Sequence, residues 1–141
     1  MPKTHSVSII IPCRDDYKYL SSILLDLSNL SPLPEIIVSD ASKDHGAVKE
    51  ICKHHQIKLL QVEPPSRGQQ WDKGAEKSTS DILLFNHTDT NFSQNHSDSL
   101  VQSFNTDSTI IGGAFLKDIE ELYPIFQLTF QLSTLLLGNL M

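Results

Sequence analysis

The tightest constraint on how this sequence folds is an alternation of short apolar runs with helix-spaced segments, the runs stopping on polar, acidic or proline residues. Val7 to Ile11 is a β-branched run that Pro12 closes, because proline cannot donate to a central ladder. After the turn Cys13-Arg14-Asp15-Asp16, the residues Leu20, Ile23, Leu24 and Leu27 recur at helical spacing until Pro32 and Pro34 end the pattern. Glu35 to Ser39 predicts a second buried strand running straight into Asp40. The turn-rich link Ala41 to Gly46 follows, with Asp44 as N-cap of a helix marked by Val48, Ile51 and Cys52. Ile57 to Val62 predicts a third strand, and Arg67 to Lys77 a helix with Trp71 and Ala75 on one side.

The run Ile82 to Phe85 is too short for a helix core and predicts a strand buried on both faces. It stops on Asn86, His87, Thr88 and Asp89. Beyond the polar stretch Thr90 to Ser99, a short helix carries Leu100, Val101 and Phe104. Thr109 to Phe115 reads as a further strand whose Gly112-Gly113 pair allows a bulge. An order of β-α-β-α-β-α-β implies a three-layer α/β/α fold with a mainly parallel sheet. In such sheets ligands bind beyond the carboxyl ends of the strands, which makes Asp40 and Asp89 candidate contacts. Each of these acids also suits a turn or a helix cap.

A chain of 141 residues is long enough for one well-packed core without disulfides. Its net charge of -6 argues against a general affinity for nucleic acid or anionic membrane. An anionic ligand would need local help from a metal ion or from particular Lys and Arg residues. Cys13 and Cys52, both in apolar settings, and a start without an apolar signal segment place the chain in the cytoplasm with reduced thiols. From Leu122 to Met141 there is no charged side chain, while Gln127, Gln131, Thr134 and Gly138 form one polar stripe. That pattern predicts a helix over 121–141 packed against the domain, a partner, a second copy or a membrane surface, with bilayer insertion as the alternative. The corresponding division is 1–120 for the α/β domain and 121–141 for the apolar helix.

Taken together, these motifs resemble the nucleotide-sugar-binding half of inverting family-2 glycosyltransferases with the GT-A fold. The residues are Pro12-Cys13-Arg14-Asp15-Asp16 after the first strand and Val38-Ser39-Asp40-Ala41-Ser42 after the second. Gly74-Ala75 precede the fourth strand, and His87-Thr88-Asp89 stand where the family carries Asp-x-Asp. With Arg67 to Ala75, Leu84 to Thr90 and Gly112 to Phe115, the chain is similar to a bacterial subgroup with His-x-Asp-Thr at that motif. Arg14 departs from the aromatic or apolar residue the family often has there.

The resemblance implies a nucleoside-diphosphate sugar, most simply a UDP-sugar, and a hard divalent cation, Mn²⁺ or Mg²⁺, for the leaving diphosphate. It implies Asp89 as metal ligand and His87 as a second ligand or a ribose or phosphate contact. Pro12, Asp15 and Asp40 would line the base pocket, and Arg67 would pair with the diphosphate. The other reading of Arg67 is a solvated surface charge, that of His87 a strand-end cap, and that of Trp71 core. The family's general base lies in the acceptor half and is expected beyond Met141, as in a truncated domain. The acceptor is unspecified. The competing class is a catalytically incomplete binding or scaffold module that docks through 122–141. A dinucleotide enzyme is disfavoured because no glycine-rich turn follows the first strand.

Overall fold

The structure, a computed structural model, describes residues 5–115. The chain separates into two units, residues 1–110 and 111–141, and the strands and helices described below belong to the first. The predicted helix over 121–141 lies outside the described residues.

Four parallel strands, β1 (Val7–Cys13), β2 (Glu35–Asp40), β3 (Lys58–Gln61) and β4 (Ile82–Phe85), form one sheet in the order β3-β2-β1-β4. The intervening helices are α1 (Tyr17–Ser28), α2 (His45–His54) and α3 (Arg67–Glu76), with α4 (Gln94–Thr106) after β4. Ile9, Ile11 and Cys13 pack with Leu20, Leu24 and Leu27 of α1, and Val48 and Cys52 of α2 join the same cluster. The alternate residues of β1 face α3. A Cβ at Gly74 would stand 2.3 Å from Ile10 Cγ2, so only glycine lets α3 come this close to the sheet. The result is the expected three-layer α/β/α arrangement.

Several details differ from the expectations. β1 runs through Pro12 to Cys13. The backbone groups of its even-numbered residues point to β4, since Ile10 O accepts from Asn86 N at 3.0 Å, whereas Cys13 O accepts from Ala41 N on the β2 side at 2.9 Å. The missing donor of Pro12 therefore falls opposite Asn86, where β4 has already ended, and no ladder bond is lost. β4 is buried on one face only: Ile82 is buried, whereas Leu83 and Phe85 are 41% and 47% exposed. α4 begins inside the predicted polar stretch, where His96 Nδ1 accepts from the N–H of Ser93 at 3.0 Å. Thr109 to Phe115 forms no strand. Instead Asp107 closes a turn by accepting from Thr109 N and Oγ1 at 2.8 and 2.6 Å.

Candidate functional site

The carboxyl ends of β2, β1 and β4 lie side by side, because these strands are neighbours and parallel. Asp40 closes β2, opposite Cys13 at the end of β1. Asp89 follows β4 by four residues on the same edge, and two interstrand steps of ~4.8 Å separate β2 from β4.

A first cluster ties the ends of β1 and β2 together. Asp15 sits in the left-handed region, with φ of 61°, where aspartate is better tolerated than most residues. Its N–H donates to Ser42 Oγ at 2.8 Å, and its Oδ1 accepts from Lys43 N at 2.9 Å. Pro12 is buried within β1. Asp40 is fully buried: Oδ1 accepts from Ser42 N at 2.9 Å and Oδ2 pairs with His45 Nδ1 at 2.6 Å. That bond, with the nearby Glu63, holds the His45 imidazolium above its ordinary range. Burial pushes the Cys13 thiol beside Asp40 up to about 11 and that of Cys52 up to about 12, which leaves both protonated and poor nucleophiles.

The second cluster joins α3 to the loop after β4. Ser66 caps α3 and brings Arg67 to its first turn, where Nη1 stands 3.5 Å from His87 Nδ1. A guanidinium has only donors, so His87 Nδ1 accepts, and in the neutral ring the proton resides on Nε2. Trp71, one helical turn on, packs against His87 and Phe85 with both centroid distances 5.7 Å. The Trp71 and His87 rings meet edge to face, with an interplanar angle of 67°. Asp89 is exposed, and its Oδ1 accepts from Thr90 Oγ1 at 3.4 Å. No cluster of three or more His, Cys, Asp or Glu fit for a metal exists among the described residues. One exposed carboxylate nevertheless suits a hard cation that takes its remaining oxygens from water and diphosphate.

Sequence reasoning missed three residues that hold this edge in shape. Gln70 is buried on α3, and its Nε2 donates to Cys13 O at 2.8 Å and Ser39 O at 2.6 Å, clamping the ends of β1 and β2. Asn86 is buried, and its Nδ2 donates to His87 O at 3.1 Å and Thr90 O at 3.0 Å, fixing the loop that carries Asp89. His45 is the third. The first polar residue after an apolar run was the available signal for Asn86; none announced Gln70.

Comparison with known proteins bears on this edge. The pattern of the family described as Glycosyl transferase family 2 matches residues 8–137. The chain is 33% identical over 110 residues to a 4,4'-diaponeurosporenoate glycosyltransferase of Staphylococcus haemolyticus, covering 72% of this chain and 29% of that protein. Among solved structures it resembles residues 1–349 of S. aureus TarS, with a TM-score of 0.63 and 17% identity over 80% of this chain and 38% of that one. It also resembles glucosyl-3-phosphoglycerate synthase of Mycobacterium tuberculosis in complex with Mn²⁺, UDP and glucosyl-3-phosphoglycerate. There the TM-score is 0.59 and the identity 19%, over 72% of this chain and 40% of that one. The chain thus spans well under half the length of these proteins. Among the described residues no helix is long and apolar enough to cross a membrane.

Proposed function

The chain belongs to glycosyl transferase family 2, and on that premise we propose that residues 5–115 bind the donor of an inverting sugar transfer, a nucleoside-diphosphate sugar. The observation that carries this reading is the gathering of Asp15, Asp40, Arg67, His87 and Asp89 along one edge of a parallel sheet. The base lies toward the ends of β2 and β3, near Asp40 and Asp15, with Pro12 behind it. The diphosphate lies toward Arg67 and the loop after β4.

Asp89 is the protein ligand for a divalent cation, Mn²⁺ or Mg²⁺, which when bound supplies positive charge for the leaving diphosphate. His87, the other candidate ligand, has a guanidinium against Nδ1 and an Nε2–H to offer. We therefore assign it as a donor to phosphate oxygen in company with Arg67. Asn86 and Gln70 hold this arrangement without touching the donor. We place the general base for the acceptor hydroxyl outside the described residues. Docking through 122–141 on a partner or membrane surface belongs to the same proposal.

Calorimetric titration of the chain with UDP in the presence of Mn²⁺ tests the reading. Binding that Asp89→Ala weakens by about a hundredfold is the expected result. Absence of binding by every nucleoside diphosphate overturns it, as does binding indifferent to Asp89 and to metal.

A further inference from the structure

We infer that the nucleobase is read by the ring of His45, with Asp40 holding that ring in place rather than meeting the base itself; the inference rests on the nucleotide-sugar reading above and deepens it. Asp40 has zero exposure and both carboxylate oxygens engaged, one by the Ser42 amide and one by His45. A ligand atom reaches it only by displacing the imidazole. His45, the first residue of α2, is 30% exposed and lines a cavity of about 480 Å³ between the ends of β2 and β3. Ser42, Lys43, Val62, Glu63 and Pro64 line it as well. The volume lies in the range of small-molecule sites.

The bond from Nδ1 to Asp40 fixes the ring and leaves Nε2 as the atom available to the cavity. Nε2 stands 3.8 Å from Glu63 Oε1, so the imidazole lies between two carboxylates, an arrangement that favours a proton on both nitrogens. Of the other charged groups near the ring, Asp44 acts in the same direction, partial burial acts against it, and Lys43 stands on the same cavity wall. Nε2–H thus donates into the cavity beside the Glu63 carboxylate, which accepts. A donor next to an acceptor matches a ring carbonyl next to a ring N–H, the edge that uracil and guanine share.

The test is calorimetric titration of the full chain with UDP and Mn²⁺ across pH 6 to 9, alongside an NMR titration of the His45 imidazole. The expected wild-type result is affinity that falls as pH rises through the measured His45 pKa. His45→Ala should weaken UDP by about tenfold or more, and His45→Gln, which retains an N–H near the Nε2 position, should weaken it less and lack the pH dependence. Asp40→Asn should move the pH midpoint down. Should both His45 variants bind UDP like the wild type while Asp40→Asn abolishes binding, the base contact belongs to Asp40 and the inference falls, with the donor-binding reading intact. Should the wild type bind no nucleoside diphosphate at any pH, both fall together. Thermal melts of each variant separate lost binding from lost folding, and a folded His45→Gln with wild-type affinity and pH profile is sufficient to overturn the assignment.

Discussion

β2 begins with one carboxylate, Glu35, and ends with another, Asp40, and the two ends of this strand have opposite designs. At the amino edge, Glu35 accepts from the hydroxyl of Ser8, from Thr79 N at 3.0 Å and Oγ1 at 3.3 Å, and from Lys58 Nζ at 3.0 Å. Partial burial works against its charge, but the Ser8, Thr79 and Lys58 bonds outweigh it and hold the carboxyl at about 2. Its partners come from β1, β3 and the α3–β4 link, so this carboxylate stitches the sheet. At the carboxyl edge, Asp40 is buried more deeply yet spends one oxygen on a histidine that faces a cavity. The lesson is that satisfaction by fixed neighbours marks a structural carboxylate, whereas a chain of contacts leading to an open cavity marks a candidate for function.

The comparison breaks most visibly if the two edges fail to separate binding from stability. Asp89→Ala should reduce metal-dependent UDP affinity by about a hundredfold while leaving the melting temperature near wild type, since the side chain is exposed. Glu35→Ala should do the reverse, costing about 2–3 kcal/mol of stability with little change in nucleotide affinity. That side chain anchors charge-assisted bonds from three elements, and its loss removes the acceptor of the Ser8 O–H and of the Thr79 N–H, although Ser8 Oγ still accepts from Ser78 Oγ at 2.7 Å. Chemical denaturation read beside calorimetry checks both variants. A Glu35→Ala protein that is stable but cannot bind would reverse the assignment of the edges.

The sign of the pH dependence sharpens the same contrast. Glu35 has its folded pKa lowered from 4.5 to about 2, so its contribution is complete above 4.5 and disappears as pH falls toward 2. His45 is raised above 6.5, so the stability it contributes is present below that value and is lost as pH rises through its folded pKa. Unfolding followed at a series of pH values should show an acid limb that Glu35→Gln removes and an alkaline limb that His45→Gln removes. One lesion should ignore the boundary. Gly74→Ala drives a Cβ against Ile10 Cγ2 in the middle of the sheet, and at about 1–3 kcal/mol should lower stability with no selectivity for either edge.

How much of this was legible in the sequence follows from the range of each interaction. The order of elements along the chain and the Asp44 cap were readable because they depend on local runs and on where those runs stop, and the same signal places Asp40 and Asp89 at or beyond strand ends. The two-faced burial expected of β4 failed because four apolar residues in a row do not say which face another element covers. The strand expected at Thr109 to Phe115 failed because β-branched residues make a strand only against a partner. Glu35 and Gln70 were invisible for a different reason. Their partners lie 23 to 57 residues away, and nothing in spacing announces a side chain that reaches two strands at once. His45 stood five residues after Asp40 in a link read as a turn, and the pairing emerges only when α2 starts at that residue.

The smallest expected effect is the most discriminating for the amino edge. Lys58 pairs with Glu35 at 3.0 Å and also donates to Lys77 O at 3.0 Å, yet its side chain is 43% exposed, so solvent screens the pair. Lys58→Ala should therefore cost only about 0.5 kcal/mol, and less as salt is raised, while Ser8→Ala, which removes a bond to the same carboxylate from a fully buried position, should cost about 1–2 kcal/mol. If instead the lysine dominated, the amino edge would be held by exposed charge rather than by hydrogen bonds from inside the sheet. The resistance of Glu35 to protonation would then decline with ionic strength. Measuring the acid limb of unfolding at low and high salt decides between the two, and a limb that keeps its midpoint assigns the structural edge to Ser8 and Thr79.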